Sequence, residues 1–102
     1  MRGRPVKIRN VRGNFRVVKF SPRGIRGRPD MIKMRLEEAE AIRLADNEGI
    51  SHKEASALMG ISRQTFERVL KRGRHAVSDA LVNGKIIMIE GGAYRKVESR
   101  VT

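Results

Sequence analysis

The spacing of apolar residues changes from alternating to helical about one third of the way along the chain. Apolar side chains at helical spacing, with acidic residues in the first turn and Gly49 after the last turn, predict a first helix over about 36–48. Ser51, followed three residues later by Glu54, forms a capping-box pair in which each side chain can satisfy the other residue's amide. This pair predicts a second helix over about 51–59.

A third helix and a strand follow these two helices. Ser62 can cap a helix over about 62–82, because a serine hydroxyl at a helix N-terminus accepts a hydrogen bond from a free amide. A short apolar run over 85–90 then predicts a strand. A lone strand cannot satisfy its own backbone groups. We therefore expect it to pair with 15–20, with 31–36, or with the same strand of a second copy.

The most specific spacing lies in residues 52–71. A helix-turn-helix needs small or apolar residues where two short helices cross, a glycine at the sharp turn, and an apolar residue that pins the second helix. These demands are met, in order, by Ala55, Ser56, Met59, Gly60, Ile61, Phe66 and Val69. The alternative is a pair of packed helices with a solvated basic face. We favour DNA binding because the turn pattern coincides with outward-facing polar residues suited to bases.

Those outward-facing residues suit both bases and phosphates. Arginine can donate two hydrogen bonds to guanine, and glutamine can read adenine. The candidates for base reading are Arg63, Gln64, Glu67 and Arg68. Hydroxyls and free amides at a helix N-terminus, and basic side chains beyond it, can hold phosphates. The candidates for contacts with the DNA backbone are Ser62, Thr65, Lys71, Arg72 and Arg74.

Charge adds a second candidate contact, at the start of the chain. The sequence has 23 Lys and Arg against 11 Asp and Glu, a net charge of +12, and residues 1–29 hold ten of these basic side chains and no acid. All three prolines also lie there, which predicts an extended basic arm. Arg-Gly-Arg-Pro occurs at 2–5 and at 26–29, like the core of AT-hook peptides that lie in the minor groove; generic phosphate contact is the alternative. The arm candidates are Arg2, Arg4, Lys7, Arg9, Arg26 and Arg28.

Other chemistry finds little support in the sequence. There is no cysteine, and the longest aliphatic run, 86–89, is far shorter than the roughly 20 residues of a membrane-spanning helix. His52 and His75 lie on different predicted helices and are expected to be solvated, and the acidic residues of 37–40 are explained by the helix start. We therefore expect no enzyme, no metal, no cofactor and no membrane partner, and a cytoplasmic location.

Several stretches resemble a family of small prokaryotic proteins of unassigned role, described as predicted DNA-binding proteins, whose helix-turn-helix is similar to region 4 of sigma-70 factors. The matching stretches are 20–24 (FSPRG), 36–46 (LEEAEAIRLAD), 54–55 (EA), 59–66 (MGISRQTF), 80–85 (ALVNGK) and 89–92 (IEGG). The resemblance implies a prokaryotic, cytoplasmic protein with a role in transcription. Arg35 departs from the family, since relatives often place a threonine cap there, and the N-terminal cysteines of some relatives are absent.

Together these patterns predict a mainly α fold: a three-helix, sigma-70 region 4-like helix-turn-helix core with a basic arm and short β-strands. The expected divisions are an arm over 1–29, a DNA-binding domain with its C-terminal strand over 30–92, and a flexible tail over 93–102. The expected function is sequence-specific regulation of transcription on double-stranded DNA. Structured-RNA binding and an interaction module for RNA polymerase are the alternatives. A homodimer is expected to form through 85–90 or through the third helix.

Overall fold

The computed structural model describes residues 8–97, and its helices follow the capping signals closely. They are α1 (Leu36–Ile42), a π-helical segment (Arg43–Asn47), α2 (His52–Met59) and α3 (Arg63–Asn83). The predicted first helix is thus divided: its second half widens into a π-helix, in which the amide of Glu48 donates to the carbonyl of Arg43 at 2.8 Å. The other two helices begin and end within about a residue of their predicted bounds.

The helix ends explain this agreement. The hydroxyl of Ser51 accepts from the amide of Glu54 at 3.1 Å, and the hydroxyl of Ser62 accepts from the amide of Thr65 at 3.0 Å. Gly60 ends α2 and Gly84 ends α3, with φ angles of 70° and 65° in the left-handed region that glycine adopts without strain. Local side chains therefore determine where these two helices begin and end.

A small mixed sheet lies beside the helices. Strands β2 (Lys19–Phe20), β3 (Met31–Met34) and β4 (Ile86–Ile89) form it in the order β2-β4-β3, with β2 antiparallel and β3 parallel to β4. The predicted C-terminal strand thus pairs with both of the segments proposed as alternatives. Because both edges of β4 are occupied within one chain, a homodimer cannot form by pairing β4 with its copy.

A second pair of strands joins the two ends of the described chain. Strand β1 (Arg9–Val11) lies parallel to β5 (Tyr94–Lys96), and Val11 is fully buried. The proposed arm and tail are therefore not uniformly surface segments, since part of each belongs to the folded body. Parallel pairing of segments so distant in sequence leaves no local signal, so the sequence does not predict the strand over 94–96.

Two clusters of apolar side chains form the core, and α3 contributes to both. The first cluster lies among α1, the π-helical segment, α2 and the N-terminal half of α3; it consists of Ala41, Leu44, Ala55, Met59, Ile61, Phe66, Val69 and Leu70. The second lies between the sheet and the helices; it consists of Met34, Ala39, Ala76 and Ile89. Gly73 separates the two along α3, and a Cβ there would lie only 3.0 Å from the carbonyl oxygen of Glu38. Helices α1 and α3 therefore approach closely at this glycine.

The acidic start of α1 has a larger role than its place in the helix dipole suggests. Glu37, Glu38 and Glu40 are all buried. One oxygen of Glu38 accepts from the amide of Arg35 at 3.0 Å, which satisfies the helix start where a threonine cap is absent. Glu37 accepts from the amide of Ala93 at 3.4 Å, so this carboxylate joins α1 to the segment before β5. The expectation that the helix start alone explains these acids is incomplete.

Glu40 is the most fully enclosed of these carboxylates. It is fully buried, and its two oxygens accept from the amides of Arg12 and Gly13 at 2.9 and 3.2 Å. The guanidinium of Arg43 donates to the same two oxygens at 2.9 and 3.0 Å. A buried charge is tolerated only when it is paired and hydrogen-bonded in this way. Glu40 thus holds the chain after β1 against α1.

We predict that Glu40→Ala lowers the free energy of unfolding by about 3 kcal/mol, because it leaves a partly buried arginine and two amides without their acceptor. Urea denaturation measures the change. The matched control is Glu48→Ala, which removes an exposed carboxylate that also pairs with Arg43, at 3.3 Å. That variant should lose at most about 1 kcal/mol. Equal losses in the two variants would contradict the role assigned to Glu40.

Candidate nucleic-acid interface

The turn between α2 and α3 presents one end of α3 to solvent. Gly60 ends α2, Ile61 turns into the core with 7% of its surface exposed, and Ser62 caps α3. Ala55 and Phe66 are fully buried where the two helices pack. The side chains that follow Ser62 therefore project from a rigid corner and not from a loop.

Ser56 stands where alanine is usual in a tight helix crossing, and the structure shows why a serine fits. The residue is buried, and its hydroxyl donates to the carbonyl of Lys53 at 2.9 Å within α2. Serine is nearly as small as alanine. Because its hydroxyl is hydrogen-bonded within its own helix, no buried polar group is left without a partner at this position.

The four base-reading candidates, Arg63, Gln64, Glu67 and Arg68, are all exposed on the first two turns of α3. Two of them contact each other, since Nε of Arg63 donates to Oε2 of Glu67 at 3.3 Å. Nδ1 of His52 on α2 lies 3.2 Å from the same oxygen. Hydrogen bonding by His52, followed by that of Arg63, holds the pKa of Glu67 below its ordinary value. Glu67 thus links the start of α2 to the start of α3.

His52 is less solvated than expected. Its side chain is 34% exposed, and its ring centroid lies 5.4 Å from that of Phe66 in a tilted arrangement. The bond to Glu67 and the contact with Phe66 place this imidazole in the packing between the two helices. His75, in contrast, is exposed on α3. No group of three or more metal-ligating side chains occurs within residues 8–97.

The five candidates for backbone contacts divide into three groups. Ser62 and Thr65 contact each other at the start of α3, because the hydroxyl of Ser62 donates to that of Thr65 at 3.0 Å. Lys71 and Arg72 are exposed farther along the helix. Arg74 instead donates from Nε and Nη2 to the two oxygens of Asp46, at 3.1 and 2.7 Å. The structure therefore leaves Ser62 and Thr65 at the start of α3, Lys71 and Arg72 two to three turns farther along it, and engages Arg74 with the π-helical segment.

The candidates in the arm are distributed over several places. Arg2, Arg4 and Lys7 lie outside the described residues. Arg9 is part of β1 and is half-buried. Arg26 and Arg28 are exposed in the segment between β2 and β3. Ile25 of this segment packs near Gly84, so the second Arg-Gly-Arg-Pro lies by the C-terminal end of α3, about 30 Å along the helix from Arg63.

Sequence reasoning missed Asp46, which has no local pattern to mark it. The residue falls in the π-helical segment, 28 positions before Arg74 in the chain. The hydrogen bonds from Arg74 hold the pKa of Asp46 below its ordinary value. This bidentate pair fixes the middle of α3 to the end of the first helical region.

Comparisons with known proteins place the chain in a family of uncharacterised prokaryotic proteins. The family model described as "Protein of unknown function DUF134" matches residues 1–97, and the chain belongs to this family. A "UPF0251 protein" of Caldicellulosiruptor bescii is 48% identical over 91 residues, which are 89% of this chain and 64% of the relative. Another, of Thermoanaerobacter sp. strain X514, is 46% identical over 96 residues, 93% of this chain and 85% of the relative.

The chain therefore spans less than two thirds of the Caldicellulosiruptor relative and most of the Thermoanaerobacter one. No solved structure matches the chain significantly. Among the helices of residues 8–97, none has the length and apolar character needed to cross a membrane.

We predict that Arg74→Gln destabilises the protein more at pH 7 than at pH 3. The pKa of Asp46 is lower in the folded chain than its ordinary value of 3.8, so the pair stabilises the fold above that value and loses its effect as the pH falls through the folded pKa. Because both side chains are partly exposed, the loss at pH 7 should be at most about 1 kcal/mol. Urea denaturation at both pH values measures it.

The control is Arg72→Gln, which removes the same charge from an exposed position of the same helix. It corrects for the change in net repulsion at acid pH. If the two variants showed the same pH dependence, the Asp46–Arg74 pair would have no such role.

Proposed function

We propose that this protein binds double-stranded DNA and regulates transcription by reading a specific sequence, with α2 and α3 acting as a helix-turn-helix. One observation carries the proposal: the three-residue turn of Gly60, Ile61 and Ser62 leaves Arg63, Gln64 and Arg68 exposed at the start of a well-packed helix. A net charge of +12 supports a polyanionic partner. The resemblance to sigma-70 region 4 belongs to this proposal.

The first turns of α3 would enter the major groove. Gln64 can read adenine and Arg63 can read guanine there. Arg63 would have to exchange its bond with Glu67 for one with a base, and the exchange costs little because an ion pair between exposed side chains is weak. Glu67 could then accept a hydrogen bond from a cytosine amine.

Phosphate contacts would set the affinity and the orientation of this helix. Ser62 and Thr65 lie at its N-terminus, where amides and the helix dipole favour an anion. Lys71 and Arg72 follow along the exposed side. The basic arm adds charge that attracts any duplex. No catalytic step is part of this function, and a prokaryotic regulator of this kind acts in the cytoplasm.

We predict that the double variant Arg63→Ala/Gln64→Ala loses sequence preference. Each well-placed pair between a side chain and a base contributes about 1–3 kcal/mol of discrimination. The ratio of affinities for the preferred duplex and an unrelated duplex should therefore fall at least about 10-fold. Fluorescence anisotropy with both duplexes at one salt concentration measures this ratio.

Lys19→Ala is the control for the lost charge, because Lys19 is exposed on β2 and not on the first two turns of α3. It should weaken binding to both duplexes equally and leave their ratio unchanged. An unchanged ratio in the Arg63→Ala/Gln64→Ala variant would mean that α3 does not read bases.

A homodimer is part of the proposal, because one module of this size contacts only a short stretch of sequence. With β4 enclosed in its own sheet, the C-terminal end of α3 is the candidate contact. Leu81 is 82% exposed, and it borders an apolar depression with Phe20 and Val77, which are also exposed. This patch lies about 27 Å along α3 from Arg63, so a second copy bound there would leave both reading ends open.

We predict that the protein sediments as a dimer and that Leu81→Glu converts it to a monomer, because a charge in an apolar contact is not solvated. Ser78→Glu is the matched control, since it adds the same charge to an exposed polar position one turn earlier. It should leave the dimer intact. A monomeric parent protein, or two variants with the same sedimentation, would contradict this contact.

A further inference from the structure

A basic cleft lies beside α3 that the sequence patterns do not mark. It is an open depression of about 640 Å³ between β3, α3 and the glycines after β4. Lys33 and Arg35 border it from β3 and its end, and Arg72 borders it from α3. A neighbouring depression is bordered by Lys33 and Arg72 again and by Lys71. We call the surface formed by Lys33, Arg35, Lys71 and Arg72 the basic cleft.

Backbone geometry places the two β3-side cations together. Side chains alternate between the two faces of a strand. Met34 is buried in the second core cluster, so its neighbours Lys33 and Arg35 both face solvent. The parallel pairing of β3 with β4 fixes Lys33, which lies opposite Met88, and Arg35 follows the strand as the residue before α1. These charges are therefore carried by the sheet and the start of α1.

Two carboxylates also border the cleft, and they do not cancel its charge. Glu38 is 7% exposed, and one of its oxygens already accepts from the amide of Arg35. Glu90 is exposed and lies 3.5 Å from Nζ of Lys33. Against these two stand four cations, Lys33, Arg35, Lys71 and Arg72, all exposed. An anionic partner can thus displace Glu90 from Lys33 and meet several positive groups at once.

The cleft lies at a suitable distance from the base-reading end of α3. Lys71 follows Gln64 by seven residues, which places it two turns farther along nearly the same face, at about 10 Å. The major groove is about 12 Å wide and is bordered by phosphates. If Gln64 contacts bases inside the groove, Lys71 and Arg72 reach its edge. Lys33 and Arg35 then extend the contact along that strand.

We propose that the basic cleft binds the phosphate backbone at the edge of the major groove, and that Lys33 and Arg35 are DNA-contacting residues. The inference rests on the proposed function, because the position of the first turns of α3 in the major groove determines which DNA strand passes the cleft. Its consequence is a backbone contact on rigid elements, separate from the arm, that orients α3 as well as attracting DNA.

The first test is the double variant Lys33→Gln/Arg35→Gln, measured by anisotropy on a duplex of fixed sequence between 50 and 200 mM salt. Each phosphate neutralised contributes about 0.9 to the slope of log affinity against log salt, so the slope should become about 1.8 shallower. The matched control, Lys53→Gln/Arg95→Gln, removes two charges from exposed positions that lie outside the arm and do not border the cleft. The slope for this control should change by much less than about 0.9, the contribution of one phosphate contact.

The second test predicts a gain of affinity for duplex DNA where the first predicts a loss. Glu90→Gln removes the carboxylate that pairs with Lys33 and removes an anion that would repel phosphates. It should tighten duplex binding several-fold and steepen the slope by up to about 0.9. Unchanged unfolding by urea shows that such a gain comes from the folded protein. Glu54→Gln, an exposed carboxylate on α2, is the control for net charge and should gain less.

The outcomes separate this inference from the proposed function. The inference is overturned if the parent protein binds duplex and the cleft variant, with unchanged unfolding by urea, behaves like its control. It is also overturned if the cleft variant loses affinity only for structured RNA. If the parent binds duplex without any sequence preference and the cleft variant still shows the shallower slope, the cleft is upheld and the reading of sequence is not.

Discussion

The close packing of α3 across α1 at Gly73 is the contact on which the rest of the structure depends. Phe66, Val69 and Leu70 bury one half of α3 in the first core cluster, and Ala76 buries the next turns in the second. Gly73 lies between them, where even a methyl group would press on the backbone of α1. Because one continuous helix joins both clusters, the direction of its exposed end is set by the whole core.

Charged side chains then divide into those that hold the fold and those that face solvent. Glu40, which pairs with Arg43, accepts from the amides of Arg12 and Gly13 and joins α1 to the chain after β1. Arg74 with Asp46 joins α3 to the π-helical segment. The exposed side of α3 carries Gln64, Arg68, Lys71 and Arg72 on turns that the core supports from the opposite face. This division gives the proposed DNA contact its rigidity. The groups that fix α3 within the fold are different from the groups that would bind DNA.

The parts that sequence could predict are those with a local physical signal. Ser51, Ser62 and Gly60 mark helix ends through hydrogen bonds and angles within a few residues, and the structure confirms the bounds they indicate. The parallel pairing of β1 with β5 and the acceptance of amides by Glu40 depend on segments far apart in the chain. No period or cap reports such contacts.

The same limit applies to the candidate site. Arg63, Gln64 and Arg68 could be named from the spacing of the turn, and they are exposed as that spacing predicts. The engagement of Arg74 by Asp46 could not, because it depends on the position of the π-helical segment. Lys33 and Arg35 approach Arg72 only through the packing of the sheet on α3. Sequence reasoning thus found the residues on one helix and missed those brought to it.

Selection of bound fragments from random double-stranded DNA, at roughly physiological salt, tests the central claim most directly. That salt concentration suppresses the sequence-independent phosphate binding that a strongly basic protein shows with any duplex. The account predicts enrichment of a short motif, in two half-sites if the protein binds as a dimer. Tight, salt-dependent binding without any enriched motif would contradict sequence reading by α3 and favour structured RNA or RNA polymerase as the partner.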